Sequence, residues 1–596
     1  MLWTVRHRAG KLSRFAFNCY RHEIRLLCRR PGEEALHLLS KEGVTQGDPL
    51  AMALYGVPLL PLAEILREEF PTVMQLWYAD DADMMGTARP VAGCFKRLQK
   101  IGPDFGYYPE AEKSYFICPL ADEAAAKTVF EELELEIQYS RGERYVGGFI
   151  GSTAMQDRWI EPKVQGWVEG VKSLARVATR YPQSAFAGFT QSLQSEWQYL
   201  SRCVPGVGVH LQPVEDAIRK HLIPALFQTT PDRVSDEMRL LLSHGVKQGG
   251  MNIRNPVAAA DRLHEGSVEA CAALVTSLTK DSRLDAQCHA QCVRQASTKA
   301  RKERVDEEKV TVKVAMAAAR PAEKRRLERI GRTGACWSLV PNKLNGTCMT
   351  KEEFFDNARL RYGWKPVDMC ERCDGCNAPF TVEHALGCKK GGLVVQRHDD
   401  TRDEAGALAE MALTTSRVTY EPYIYHGRDV SATLRADEVQ DAAVTADEEA
   451  RGDVAIHGLW EKGKTCILDI RITDTDAKAH FAHSSEKVLE KAAKEKKKKY
   501  NDACLARRRT FCPLVYSVDG MTCKEALAFE KRIAGLLSKK MDRRYSEMVG
   551  FVRQRMCLAV VRSNTLLLRG DRVNRAWRPD IEDGAAFNAI RGLQEW

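Results

Sequence analysis

Hydrophobic and polar positions follow two different periods along the chain. In its first part, apolar stretches with a helical period alternate with short strand-like runs, such as 74–78 and 145–150. From Trp159 to about Val340 the pattern is mainly helical. Strand-like runs return at 465–472 and 512–518, on either side of a basic stretch with a helical period. The pattern predicts a multidomain α+β protein whose middle part is helical.

The composition is that of a globular protein with several domains. The chain has 596 residues, of which 44% are hydrophobic and 28% are charged. At roughly 150 residues per domain this length is about four domains, which excludes a single small binding module. The 89 Lys and Arg residues against 80 Asp and Glu residues give a net charge of +9. That charge allows a polyanionic partner without requiring one.

The sequence contains no stretch that is apolar enough for a membrane helix. The longest uncharged apolar stretch, 49–63, has 15 residues, fewer than the roughly 20 that a spanning helix needs. Charged residues stand near the amino terminus, where a secretory signal would have its apolar core. We therefore expect an intracellular protein, nuclear or cytoplasmic, with no membrane partner and with its 19 cysteines reduced.

An acidic turn is the first candidate site. An apolar run leads into Asp80 and Asp81 and returns through Ala82, which predicts a β-hairpin with two carboxylates at its tip. Paired carboxylates on a rigid turn suit Mg²⁺ or Mn²⁺, because such ions keep several waters and bind substrate phosphates. The hairpin would suit nucleotidyl transfer by two metal ions. Taken alone, the pair is also compatible with a solvated acidic turn.

The segment 45–50, Thr-Gln-Gly-Asp-Pro-Leu, followed by Tyr-Ala-Asp-Asp at 78–81, resembles motifs B and C of a reverse transcriptase palm. The resemblance implies that Asp80 and Asp81 hold the metal ions and that Lys113 is the general acid of motif D. It also implies a primer grip at 145–151, followed by a helical thumb. The residues that would contact template, primer or incoming nucleotide are Gln46, Gly47, Asp48, Pro49, Tyr78, Gly147 and Gly148.

The chain departs from that family at its start. A complete palm takes a further aspartate from an upstream strand, but no Asp occurs between Met1 and Val44. A missing carboxylate weakens the stabilisation of the transferring phosphoryl group. We therefore expect an N-terminally truncated copy that lacks motif A and polymerises poorly or not at all.

A cysteine and histidine cluster is the second candidate site. Its best ligand set is Cys373, Cys376, His384 and Cys388, with the spacing C-x2-C-x7-H-x3-C, and Cys370 could replace Cys373. Zn²⁺ takes four such ligands in a tetrahedron, and four protein ligands leave no position for a catalytic water. The spacing predicts a small zinc finger with a structural Zn²⁺.

Two aspartates and a lysine-rich helix form the third candidate site. Asp453 and Asp469 belong to neighbouring strand-like runs and could share one or two divalent ions, with a nearby lysine to position the attacking water. The order of the finger, an Arg-His segment, Glu-Pro, two strand aspartates and a basic helix resembles the C-terminal half of non-LTR retrotransposon proteins with a restriction-like endonuclease. That resemblance implies that Glu421, Asp453 and Asp469 are metal ligands.

The lysine of this site is not fixed by the sequence. In the PD-(D/E)xK pattern it would lie two residues after Asp469, but Arg471 occupies that position and cannot readily release a proton. Lys496 or Lys497 of the basic helix is the expected substitute. The basic run 494–499 would contact the phosphate backbone, although a solvated helix face or a nuclear localisation signal has the same composition.

The expected protein is a retroelement reverse transcriptase of the non-LTR type with a DNA endonuclease-like C-terminus for target-primed integration. Its partners would be an RNA template, a DNA target and dNTPs, and its ions Mg²⁺ (or Mn²⁺) and Zn²⁺. Two alternatives remain: a catalytically inactive nucleic-acid-binding remnant, or an endonuclease only. The expected domains are a partial palm (1–152), a helical thumb (153–230), a helical connector (231–345), a zinc-finger segment (346–395) and an α/β PD-(D/E)xK-like nuclease domain (396–596).

Overall fold

The computed structural model describes residues 1–29, 32, 34–41, 43–45, 47–280, 282–333, 340–425 and 450–572. These residues form a mixed α and β protein, as the pattern predicts. The chain divides into two compact units, Met1–Trp159 and Ile160–Trp596. In the described part of the chain, no helix is long and apolar enough to cross a membrane.

The first unit combines five helices with four two-stranded sheets. The helices are α1 (Leu2–Arg8), α2 (Gly10–Tyr20), α3 (Ala51–Glu69), α4 (Ala88–Ile101) and α5 (Glu123–Glu132). The strands are β1 (Ile24–Cys28), β2 (Leu36–Ser40), β3 (Met74–Tyr78), β4 (Asp81–Met85), β5 (Tyr115–Ile117), β6 (Gln138–Ser140), β7 (Gly142–Tyr145) and β8 (Gly148–Gly151). They pair in sequence order, and only β5 and β6 run parallel.

The predicted acidic hairpin is present. Tyr78 of β3 lies opposite Asp81 of β4, so that Ala79 and Asp80 form a two-residue loop. Ala79 has a φ of +54°, the left-handed conformation that short hairpin loops require. The hairpin packs on the core of this unit, which includes Leu62.

A series of helices follows the first unit's sheets. They are α6 (Thr153–Ala178), α7 (Pro182–Gly188), α8 (Gln194–Cys203), α9 (Gln212–Ala217), α10 (Ile223–Phe227), α11 (Asp236–Ser243), α12 (Pro256–Thr279), α13 (Ala286–Ala318), α14 (Pro321–Thr333) and α15 (Lys351–Arg361). Two of the long helices, α12 and α13, pack against each other. This region confirms the helical pattern that the sequence predicts between residues 159 and 340.

The C-terminal part is a sheet covered by helices. Its helices are α16 (Val382–Gly387), α17 (Leu393–Ala412), α18 (Ser485–Ala506), α19 (Lys524–Met541) and α20 (Tyr545–Arg569). Its strands are β9 (Val418–Tyr420), β10 (Tyr423–Tyr425), β11 (Ala450–Arg451), β12 (Val454–His457), β13 (Thr465–Thr473) and β14 (Thr510–Ser517). The main sheet has the order β14-β13-β12-β9, with β13 parallel to β14 and the other pairs antiparallel.

Helices cover both faces of this main sheet. Because side chains of a strand alternate between faces, Ile467 and Leu468 of β13 enter different clusters. Leu468 packs with residues of α17 and α19. Ile467 packs with Tyr500 and Cys504 of α18. The two predicted strands flanking a basic helix are therefore confirmed as β13, α18 and β14.

Candidate functional sites

The Cys/His group has the geometry of a metal centre. One ligand atom from each of Cys373, Cys376, His384 and Cys388 lies within 4.8 Å of the other three. The Sγ atoms of Cys373 and Cys376 are each 3.9 Å from Sγ of Cys388, and Cys376 Sγ is 3.3 Å from His384 Nε2. With Zn–S bonds of about 2.3 Å, a tetrahedral ion would separate its sulfur ligands by similar distances. The group can therefore hold a metal ion such as zinc.

The local chain explains how the four ligands meet. The amide of Cys373 donates to the carbonyl of Ala378, and the amide of Asn377, whose φ is +60°, donates back to the carbonyl of Cys373. This tight loop brings the first two cysteines together. The hydroxyl of Thr381 caps α16, and the amide of Cys388 donates to the carbonyl of His384 one turn earlier.

The electrostatics of the group favour a thiolate. Burial alone raises the pKa of the Cys373 thiol, but hydrogen bonds from His384 and from the amides of Gly375 and Cys376 outweigh burial and bring that pKa to about 6. A thiolate is the form of cysteine that binds metal. Cys370 is exposed and lies outside the group, so the described geometry selects Cys373 rather than Cys370.

The finger is attached to the end of α20 through Arg572. This side chain is 1% exposed, and its guanidinium lies 4.8 Å from the centre of the Phe380 ring. Its amide donates to Asp374 Oδ2 at 2.6 Å, and its guanidinium donates to the carbonyl of Ala385 at 3.1 Å. The Cys/His segment is thus packed against the domain that contains the main sheet.

Asp453 lies directly before β12, and Asp469 lies inside the adjacent strand β13. Val454 of β12 pairs with Leu468 of β13 in the antiparallel register, which places Asp453 across from Asp469. The amide of Asp453 donates to the carbonyl of Leu468 at 2.9 Å.

Lys496 of α18 forms an ion pair with Asp469. Its Nζ lies 2.6 Å from Asp469 Oδ2, and the Asp469 side chain is 6% exposed. Burial raises the pKa of Asp469, and the positive charge of Lys496 offsets part of that rise. The neighbouring Lys497 instead pairs with Glu525 at 2.6 Å. Arg471 pairs with Glu495 at 2.8 Å. Of the two lysines proposed from the sequence, the structure brings only Lys496 to the aspartate.

His398 of α17 contacts the other aspartate. Its Nε2 lies 3.1 Å from Asp453 Oδ2, and its Nδ1 lies 3.1 Å from Asp399 Oδ1. The hydrogen bond to Asp453 is the main reason that the pKa of His398 rises to about 9. The amide of Ile470 also donates to Asp453 Oδ2. No spacing rule connects His398 to an aspartate 55 positions later, so the sequence alone gives this contact no signal.

The backbone of Glu421 is hydrogen-bonded to the backbone of Asp453. Its amide donates to the carbonyl of Asp453 at 2.9 Å. Its carboxylate, however, is 58% exposed and pairs with Arg402 at 3.0 Å. Arg402 also contacts Asp399 and Asp403, at 3.2 Å and 2.9 Å. The three acids that the resemblance assigns to a metal thus do not all point to one place. Among the described residues, only the Cys/His group brings three or more candidate ligand atoms within 4.8 Å of one another.

The hairpin tip of the first unit presents its aspartates to solvent. Asp80 and Asp81 are both exposed. The backbone carbonyl of Asp80 accepts a hydrogen bond of 3.0 Å from the hydroxyl of Tyr107, whose pKa burial raises to about 12. Asp83, two residues after Asp81, accepts a hydrogen bond from Tyr145, which links the hairpin to β7. No motif of the sequence includes Tyr107, whereas Tyr145 begins the segment 145–151 that the resemblance assigns to the primer grip.

The other residues proposed for the palm have structural roles of their own. Asp48 accepts hydrogen bonds from the Tyr20 hydroxyl and, at 2.8 Å, from the amide of Leu50, and both lower its pKa. Lys113 is exposed and pairs with Glu110 at 2.6 Å. Gln46 lies outside the described residues, whereas Gly47 has a φ of +96°.

The remaining proposed contacts lie in turns or next to them. Pro49 precedes α3, and Tyr78 ends β3 beside the loop of the acidic hairpin. Gly147 lies in the two-residue loop between β7 and β8 and has a φ of +79°, a conformation that glycine adopts without strain. Gly148 begins β8 opposite Tyr145.

Comparison with protein-family models and with curated proteins finds no match to this chain.

Proposed function

We propose that this chain is a retroelement-encoded protein of the non-LTR type, whose C-terminal sheet domain cleaves DNA with Mg²⁺ and whose first unit carries part of a reverse transcriptase palm. The observation that carries the proposal is the buried ion pair between Asp469 and Lys496, with Asp453, the residue before β12, across from Asp469. A buried carboxylate held by a lysine beside a second acid is typical of a functional site, because placing such charges in a core costs stability.

The two aspartates suit Mg²⁺, because this ion does not need a cage made only of protein ligands. Mg²⁺ is usually bound by one or two carboxylates, several waters and substrate phosphates. Asp453 and Asp469 would be those carboxylates, and the bound ion would supply Lewis-acid stabilisation of the phosphodiester. Lys496 would release Asp469 on metal binding and hold the attacking water or the scissile phosphate with its freed ammonium group. His398 would keep Asp453 oriented through the 3.1 Å contact.

The order of elements around the pair supports an α/β nuclease. α17 precedes the three strands β9, β12 and β13, and α18 and β14 follow them. This order places Asp453, Asp469 and Lys496 on consecutive elements of one layered domain. The lysine-rich part of α18 would then contact the backbone of the DNA target, giving affinity that falls steeply with salt.

The first unit is proposed to carry the palm part of such a protein. Asp80 and Asp81, exposed at the tip of the acidic hairpin, would be two of its metal-binding carboxylates. An RNA template and dNTPs would be its ligands.

Nicking of supercoiled plasmid tests the proposed cleavage. We expect Mg²⁺-dependent nicking by the purified chain, and loss of that nicking in Asp453→Asn and Asp469→Asn. Asp502→Asn is the matched control, because Asp502 is an exposed aspartate of α18. Zinc content and thermal unfolding of the same samples establish that the variants are folded. Nicking that persists in both site variants would contradict the proposal.

A second candidate function is a nucleic-acid-binding protein without cleavage. Arg471 favours it, because this side chain occupies the position of the family's lysine and pairs with Glu495 instead of an aspartate of the site. A folded wild-type chain that binds DNA in a salt-dependent way and never nicks it, with Mg²⁺ or Mn²⁺, would establish this alternative.

A further inference from the structure

A cavity of about 630 Å³ lies between α14, the end of α15 and the segment after β13. We call it the basic–aromatic cavity. Its lining includes three arginines (Arg320, Arg325 and Arg326), three aromatic residues (Tyr362, Trp364 and Phe481) and Glu323. Three guanidinium groups and three aromatic rings thus face one carboxylate. The volume falls within the roughly 300–1,000 Å³ that small-ligand sites have.

Arg326 of the cavity forms no ion pair with a described residue, and the charges of Asp476 and Glu323 act on it from further away. Glu323 is paired with Arg320 at 2.5 Å, and Arg325 lies 3.6 Å from Asp476. No ion pair between described residues includes Arg326, although its side chain is largely removed from solvent. Those two carboxylates are already paired with Arg329 and Arg320, so an anion in the cavity would give Arg326 a partner of its own.

The turn after α15 is shaped around this arginine. Gly363 has a φ of +76°, and a Cβ at this position would lie 1.8 Å from a guanidinium nitrogen of Arg326. Any side chain at residue 363 would therefore displace the arginine from the cavity. The backbone and the guanidinium are in contact because residue 363 is a glycine.

Two of the aromatic rings contact protein groups and are also partly exposed to solvent. The guanidinium of Arg325 lies 5.7 Å from the centre of the Phe481 ring and donates to the carbonyls of Thr475 and His480. Phe481 is nevertheless 57% exposed, so the ring remains accessible to a ligand. Trp364 packs edge-on against Phe227, with ring centres 5.4 Å apart, and remains partly accessible.

We propose that the basic–aromatic cavity binds a nucleotide of a single-stranded nucleic acid, with the base stacked on Phe481 and Trp364 and the phosphate bound by Arg326. Stacking platforms beside cationic groups are the way in which proteins bind single strands without reading their sequence. Double-stranded DNA would bind poorly, because its bases are already stacked on one another. The site is separate from Asp453 and Asp469 and does not rest on the proposed cleavage.

Fluorescence anisotropy with the full chain tests this site, using labelled oligouridine and oligothymidine of about 12 nucleotides, within the length that single-strand sites cover. Arg326→Ala and Phe481→Leu are each expected to weaken binding about tenfold. Phe481→Trp should restore it, since the larger ring still stacks. Arg301→Ala, an exposed arginine of α13, is the matched control for charge.

Each outcome of this experiment decides the proposal. Losses in Arg326→Ala and Phe481→Leu, with rescue by Phe481→Trp and no loss in Arg301→Ala, support it, and the two oligonucleotides show whether RNA or DNA is the ligand. Equal binding by all variants, or no binding by the wild-type chain, overturns it. Loss in Arg326→Ala alone overturns it as well, because a phosphate contact without stacking does not require the aromatic rings.

Discussion

The Cys/His group and the Asp453–Asp469 pair show two different ways of assembling candidate ligands. The four soft ligands already lie within 4.8 Å of one another, on a segment of 16 residues from Cys373 to Cys388. The two carboxylates come from separate segments, the residue before β12 and the strand β13, and are each engaged by a protein cation, Lys496 or His398. A structural metal site is set by the local chain, whereas an open site must exchange its protein partners for metal and substrate.

The largest effect should come from removing the metal of the Cys/His group. Because metal binding by such groups contributes several kcal/mol to folding, Cys376→Ser should lower the melting temperature by about 10 °C or more. Metal content by mass spectrometry of the native chain should fall from one zinc to none. Cys370→Ser is the control, since Cys370 is outside the group, and it should keep the zinc. Unchanged metal content in Cys376→Ser would contradict the assignment of the Cys/His group as a metal centre.

Breaking the buried ion pair should have the next largest effect. Lys496→Met leaves Asp469 buried without its partner, and we expect a loss of about 3 kcal/mol in the free energy of unfolding at neutral pH. The double variant Lys496→Met, Asp469→Asn should recover most of that loss, because no charge remains buried. Chemical denaturation of the four chains in this cycle measures the coupling. Additive losses would show that the two side chains do not interact.

A third prediction concerns another buried carboxylate, Glu530, whose ion pair with Arg553 is longer, at 3.6 Å. Burial raises the pKa of Glu530 to about 7, and the Tyr516 hydroxyl donates to it at 3.2 Å. The folded-state pKa lies above the unfolded value, so this group's stabilisation is complete below about pH 4 and is lost as pH rises through 7. We expect about 2 kcal/mol of that loss to disappear in Glu530→Gln, measured as unfolding free energy against pH. The same dependence of unfolding free energy on pH in wild type and Glu530→Gln would contradict this prediction.

The smallest effect tests whether position in the lysine run matters. Lys497 pairs with Glu525 in a partly exposed setting, so Lys497→Met should cost less than about 1 kcal/mol. The adjacent Lys496→Met, with the same change of charge and size, should cost several times more. Equal losses in the two variants would mean that the buried pair has no special stability.

The sequence predicts the local features well. The acidic hairpin follows from an apolar run on either side of Asp80 and Asp81, and the Cys/His group follows from spacing that puts His384 and Cys388 one helical turn apart. Both depend on residues close together in the chain. The strands β13 and β14 and the basic helix between them are likewise visible as hydrophobic periods.

The contacts between distant segments could not be predicted. Consecutive residues of a helix point about 100° apart, so the docking of α18 decides that Lys496 and not Lys497 meets Asp469. The same holds for His398, which reaches Asp453 only because α17 packs beside the sheet. A single sequence does not show how α17 and α18 pack on the sheet. The two aspartates could therefore be identified from the sequence, but their contacts with His398 and Lys496 could not.

The most direct test of the account is the nicking rate of supercoiled plasmid with Mg²⁺, compared between wild type, Asp469→Asn and Asp502→Asn with zinc content measured on each sample. The account predicts nicking by wild type and by Asp502→Asn, at least about a hundredfold slower nicking by Asp469→Asn, and equal zinc in all three. Equal nicking by Asp469→Asn, or no nicking by a zinc-loaded wild type, would contradict it.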